Sequence, residues 1–176
     1  MKDNPDKARG IRGPLIHYEE DGVFPNLEST WNINRKATED GDVAFGFQLA
    51  GGTGGSDNAD FTGSEKLFYD PDTYNIYGLP NVYDKNSNGQ SKCGFFWGAY
   101  LNRNKCYDLK VGEPDVTKAI IEVLIDRFKV KNGLGGSKAI TQKRAEEPFT
   151  PQDAVMRVEG TIFPVAELKD YLAEIS

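Results

Sequence analysis

Glu19 and Glu20 stand side by side at the end of a short apolar run, Leu15-Ile16-His17-Tyr18, and Asp21 follows them. A second apolar run, Val43 to Ala50, ends in Gly51-Gly52-Thr53-Gly54-Gly55. Adjacent carboxylates at a strand end have a definite use in nucleoside triphosphate hydrolysis. The first holds Mg²⁺, usually through a bound water, and the second positions or deprotonates the attacking water. Both must sit at the carboxyl end of the strand, where open α/β sheets bind ligands. A threonine at the end of a second strand, among permissive glycines, can sense the γ-phosphate and pass its loss to a moving element. Each signal also has a plainer reading. Two glutamates mark many solvated turns after strands, and a run of glycines around Thr53 makes an ordinary turn. Phosphate cradling by this loop is a weaker reading, because the pattern GxxxxGK[ST] is absent from the chain. Gly133-Leu134-Gly135-Gly136-Ser137-Lys138 has the right residues in the wrong order.

Other chemistry-bearing residues carry less. Asp84-Lys85-Asn86-Ser87-Asn88-Gly89 copies the first half of a calcium loop, but Phe95 stands where the closing glutamate is required. A surface turn is the better reading. His17 lies between Ile16 and Tyr18 and is expected to pack in the core, with no triad partner in view. Cys93 and Cys106 are expected to be free thiols, and two Cys with one His make no zinc pattern.

The elements that must position the acids follow from periodicity. Leu15 to Tyr18 reads as a buried strand between Gly13-Pro14 and the acids. A helix is expected from Asn26 to about Thr38, with Leu27 and Trp31 on one face. Val43 to Ala50 reads as a second, largely buried strand. Nearly continuous apolar strands predict a parallel sheet covered on both faces. Ala59 to Tyr69 suits a short helix that stops at Asp70-Pro71. From Asp72 to Leu109 the chain is aromatic and turn-dense, with an expected apolar core at Cys93-Gly94-Phe95-Phe96-Trp97. Pro114-Asp115 starts the clearest helix, whose predicted apolar face is Val116, Ile120, Ile121, Leu124, Ile125 and Phe128, and Asn132-Gly133 ends it. A Gly-rich hinge follows, then a helix over 137–147. Thr150-Pro151-Gln152-Asp153 is a helix start with Thr as cap and Pro first. Phe163-Pro164 opens a last helix with Val165, Leu168, Leu172 and Ile175 as its stripe.

Composition bounds the reading. The chain has 176 residues, long enough for one real core. Its net charge of −6 argues against a dedicated nucleic-acid surface within these residues, since phosphate contacts dominate that affinity. No run is long and apolar enough to span a membrane, and the start of the chain has no apolar core like that of a signal peptide. A cytoplasmic protein is expected.

Taken in order, a set of short motifs adds a family resemblance. They are Arg9-Gly10, Arg12-Gly13, Leu15 to Glu20, Gly22-Val23-Phe24-Pro25-Asn26-Leu27, Gly52-Thr53-Gly54-Gly55 and Ala59-Asp60-Phe61. Leu67 to Pro71, Gly94-Phe95-Phe96, Arg127-Phe128-Lys129, Glu147 to Ala154 and Phe163 to Leu168 continue the series. This order and spacing resembles the large terminase subunit of tailed bacteriophages, of the Bacteroidales and crAss-like phage type, over nearly the whole chain. The resemblance implies an α/β fold, a partial P-loop NTPase (ASCE-type) parallel sheet with a lid and a helical C-terminal connector. Residues 1–131 would be the C-terminal half of the ATPase domain, and 132–176 the connector towards a nuclease domain.

Such proteins package viral DNA into procapsids by ATP hydrolysis and cut it with the nuclease domain. The resemblance makes Glu19 the Mg²⁺ acid of the Walker B motif and Glu20 the catalytic carboxylate. Thr53 and Gly52 become the coupling motif on the ATP side, and Arg9 a candidate arginine finger acting in trans. The implied partners are the rest of the terminase large subunit, the portal and procapsid, and double-stranded DNA reached through a ring oligomer in the host cytoplasm. Two departures stand out: Glu19 replaces the usual Asp, and Asp21 stands where a small residue is common. The phosphate loop and the nuclease acids are expected outside these 176 residues. The chain alone is therefore expected to bind ATP poorly and to lack turnover. A different class of reading is a non-enzymatic module that docks on a complete terminase or another phage protein. An unrelated phage structural domain is a third.

Overall fold

The computed structural model describes residues 12–24, 26–54, 60–85, 89–156 and 172. It is a mixed α/β fold with a small parallel two-stranded sheet and several helices. The described residues form two units, one of 12–53 with 60–95 and one of 54 with 96–156 and 172. The expected helix after Phe163-Pro164 and the central part of the calcium-like loop lie outside the described residues. No helix among the described residues is long and apolar enough to cross a membrane.

In the first unit, β1 (Leu15–Glu19) runs into a 3₁₀ turn (Asp21–Val23) and then α1 (Leu27–Arg35). A tight hairpin follows, β2 (Glu39–Asp40) with β3 (Val43–Ala44), turning at Gly41 with φ +62°. The chain then enters β4 (Phe47–Gly51), parallel to β1. Next come α2 (Thr62–Tyr69) and a short antiparallel pair, β5 (Leu79–Pro80) with β6 (Lys92–Cys93).

The core forms where α1 crosses one face of β1 and β4. Tyr18, Leu27, Trp31 and Leu67 are its buried centre, with Ile16, Phe24, Ala50 and Ile76 packed around them. The Tyr18 ring meets Phe24 edge-on at 5.9 Å and Trp31 at 5.8 Å. Its hydroxyl donates to Gln48 Oε1 at 2.7 Å and accepts from Asn34 Nδ2 at 2.8 Å. That satisfies a polar group which burial would otherwise penalise.

Three expectations for this sheet are corrected. The run Val43 to Ala50 is not one strand. The N–H groups of Phe45 and Gly46 both donate to Thr38 O, at 3.0 and 3.1 Å, which bends the chain away from the hairpin. Gly46 passes so close to the β1 lead-in that an added Cβ would lie 2.7 Å from Pro14 O. Nor is the sheet covered on both faces by the described residues. With period-two alternation, Ile16, Tyr18, Gln48 and Ala50 turn toward α1, whereas Leu15, Phe47 and Leu49 are 51%, 61% and 50% exposed. His17 shares that outer face and is exposed rather than packed in the core.

The second unit holds a 3₁₀ turn (Ala99–Leu101), α3 (Val116–Lys131), α4 (Gly136–Glu146) and α5 (Pro151–Ala154). The caps form as the sequence requires. Asp115 Oδ1 accepts from Lys118 N at 3.0 Å, and Thr150 Oγ1 accepts from Asp153 N at 3.4 Å with Pro151 first in the helix. The predicted apolar face of α3 is not the packed one. Ala119 and Val123 are buried, while Ile121, Leu124, Ile125 and Phe128 are exposed. α3 packs against both α4 and the Ala99–Leu101 turn, and the face it buries there carries small side chains. The expected apolar core over 93–97 is also corrected: Cys93 is buried, but Phe95 and Trp97 lie exposed.

Charge closes the second unit. Asp153 takes Arg144 Nη2 at 2.8 Å, Arg127 Nη2 at 3.3 Å and the Phe149 N–H at 3.1 Å. The Arg127 guanidinium lies over the Phe149 ring, 4.2 Å from its centre. Arg103 pairs with Glu122, Asp126 and Glu147.

Candidate functional site

The parallel register of β1 and β4 builds the site. Leu15 pairs with Phe47, and the ladder runs on until Glu19 stands opposite Gly51. Both strands therefore end at the same edge. The acids of one and the Gly51-Gly52-Thr53 segment of the other become neighbours there, although they are distant in sequence. This edge is the carboxyl end of a parallel sheet, where such sheets place ligands.

Glu20 leaves β1 in the left-handed conformation, with φ 57° and ψ 54°. For a residue with a Cβ that conformation costs roughly 1–2 kcal/mol. Such strain persists only where the surroundings hold it, and it concentrates at functional positions. The clamp is visible. Val23 N–H donates to Glu20 O at 3.0 Å, and Asp60 N–H donates to Gly22 O at 2.7 Å. Gly22 is buried against the Phe61 ring, and an added Cβ there would lie 2.8 Å from Phe61 Cζ. Glu19, Glu20 and Thr53 are all exposed, so their oxygens are open to a ligand.

Asp21 differs from both glutamates. It is half-buried, and burial pushes its carboxyl above the usual range. The Ser64 hydroxyl and the Gly22 backbone pull it back in part, and the charge of Glu20 pushes it further up. Ser64 Oγ lies near without closing a full hydrogen bond. Gly52 passes directly over this carboxylate: an added Cβ would sit 2.6 Å from Asp21 Oδ1 and 2.9 Å from Asp21 N.

A groove of about 1030 Å³ adjoins the site. Every residue of β4 lines it, from both faces, which places it along the edge that β1 leaves unpaired. Its far wall is apolar and aromatic, with Trp31, Phe68, Tyr74 and Ile76.

The structure thus brings together Glu19, Glu20, Gly52 and Thr53. Arg9 and Gly55 lie outside the described residues. No group of three or more His, Cys, Asp or Glu that could hold a metal occurs among the described residues. Glu19, exposed at the strand end, is the carboxylate that could serve a cation there.

Sequence reasoning missed Asp21, Ser64 and Phe61. The one signal available was Asp21 itself, a charged residue where a small one was expected. Comparison with protein-family models, curated proteins and solved structures returns no match.

Proposed function

We propose that this chain supplies the back half of an ATP-hydrolysing site in a viral DNA-packaging motor. In this reading it is the C-terminal part of the ATPase domain of a large terminase subunit, a P-loop NTPase of the ASCE type. The observation that carries the reading is the register that sets Glu19 beside Gly51, because it joins the acid pair and the Gly/Thr segment at one carboxyl edge. The strained backbone at Glu20 adds to it. Glu19 would hold Mg²⁺, which when bound screens phosphate charge. Glu20 would orient and deprotonate the attacking water. Thr53, with Gly52, would register the γ-phosphate. Arg9 would reach a neighbouring subunit's nucleotide. The unpaired edge of β4 and its groove suit a further strand bearing the phosphate loop, with its lysine and backbone N–H groups. DNA, portal and procapsid would be met by the assembled ring.

The test mixes this chain with a separately made polypeptide carrying a terminase phosphate loop and its strand, and measures ATP hydrolysis. Turnover in the mixture, absent from either part and lost in Glu20→Gln, supports the reading. No turnover in any mixture sinks it. A second reading, a docking module without catalysis, is favoured by the exposed face of α3 at Ile121, Leu124, Ile125 and Phe128. It is preferred if the chain binds a complete terminase and leaves its turnover unchanged.

A further inference from the structure

Asp21 has no role in the reading above, yet it meets three elements at once. Its backbone begins the 3₁₀ turn that follows the acid pair. Its carboxylate and its backbone N together crowd the space above Gly52, where an added Cβ would lie 2.6 Å from Oδ1 and 2.9 Å from N. Ser64 on α2 lies against it from the other side. The two neighbouring turns are locked in the same way, since Gly22 has room for no Cβ beneath Phe61. Asp21 and Gly52 therefore form a steric pair, a filled position against an empty one, at the point where the acid turn and the Gly/Thr segment touch.

We infer that Asp21 is a positioning residue: it seats the Gly51-Gly52-Thr53 segment against the acid turn, fixing Thr53 relative to Glu20, and links that segment to α2. The inference rests on the proposed hydrolytic site for its purpose, but the interlock is a property of this chain alone. Asp21 fills the gap left by Gly52, and a small residue would leave the segment free to shift. Glu19 and Glu20 are exposed at the strand end, whereas Asp21 is half-buried and acts on the protein.

The interlock is tested on the full chain by a double-mutant cycle read from urea midpoints. Gly52→Ala is expected to destabilise the wild-type chain, and to do so by a smaller but still measurable amount in the Asp21→Ala background, where the Oδ1 clash is gone and only the approach to the Asp21 backbone N remains. Asp21→Asn, which keeps the shape, should preserve the full cost of Gly52→Ala. Additive effects of Asp21→Ala and Gly52→Ala overturn the interlock.

The catalytic consequence is tested in the reconstituted hydrolysing mixture. Asp21→Ala should lower kcat about tenfold, equivalent to about 1.4 kcal/mol of barrier, with KM for ATP unchanged. Asp21→Asn should restore most of it. An equal fall in affinity, or no rescue by Asn, overturns the positioning role. If the wild-type mixture hydrolyses nothing, the proposed function and its catalytic consequence both fail, while the cycle still decides the interlock.

Discussion

Replacing Glu20 with glycine should stabilise the first unit while removing the carboxylate on which hydrolysis would depend. Glu20 sits at φ 57° and ψ 54°, a conformation that costs a residue with a Cβ roughly 1–2 kcal/mol. Glycine escapes that cost but gives the unfolded chain extra freedom, worth about 0.5–1 kcal/mol. The net gain expected for Glu20→Gly is therefore about 0–1.5 kcal/mol, centred on about 0.75 kcal/mol. Glu20→Ala removes the same exposed charge and keeps the strain, so it should fall within about 0.5 kcal/mol of wild type. For a chain of this length the difference between the two variants corresponds to about 2–4 °C in Tm per kcal/mol. The assay is urea and thermal unfolding followed by Trp31 fluorescence in a Trp97→Phe background, so that the signal comes from the first unit. Lys105, at φ 64° in the second unit, is the control: Lys105→Gly, followed by far-ultraviolet circular dichroism, should stabilise that unit without touching turnover in the reconstituted mixture. If Glu20→Gly is no more stable than Glu20→Ala, the backbone at 20 is not strained and the argument from strain to function fails.

Three further outcomes follow from the packing. Asp115→Ala removes the α3 cap that accepts from Lys118 N and should cost about 1 kcal/mol in the urea midpoint of the second unit. Asp153→Ala leaves the half-buried Arg127 and Arg144 without their shared anion and should cost about 2–4 kcal/mol, read by circular dichroism melting. Glu28 accepts from Lys66 Nζ and from the Tyr74 hydroxyl, each at 2.6 Å. Lys66 first, then Tyr74, holds the Glu28 carboxyl below its ordinary range, and the same contact pushes Tyr74 up to about 12. The raised group contributes stability that is intact below pH 10.0 and lost as pH rises through about 12. The lowered carboxyl contributes stability that is present above its ordinary range and lost as pH falls through its folded value. Tyr74→Phe should therefore flatten the alkaline limb of a stability-against-pH curve, and an unchanged limb would refute the assignment.

Local chemistry in the sequence marked the acid-ended strand, the α1 face of Leu27 and Trp31, and the Asp115 and Thr150 caps. Each depends on residues within a turn or two of one another. A parallel sheet was also expected from the apolar character of the two runs, but neither the register of β1 with β4 nor the exposed outer face was. That face depends on which elements cover the sheet, and periodicity within one strand carries no such information. The α3 error has the same origin. Ile121, Leu124 and Phe128 form the larger apolar stripe, but Ala119 and Val123 are the residues that the rest of the unit buries. Asp21 was legible only as an oddity. Its meaning depends on Gly52, a partner that comes into reach only once β4 lies beside β1.

That last point bears on how the site comes into being. The helix α1 and the β2–β3 hairpin close over short stretches of chain, whereas Glu19 and Gly51 meet only after the whole intervening segment has been looped back on itself. The parallel ladder is the slow, high-contact-order step of this unit. Until it zips, the acids and the Thr53 segment are separate peptides with no shared geometry. A ribosome releasing this chain would present the acid pair first and α1 next, and only the later arrival of β4 would turn two ordinary strand ends into one place.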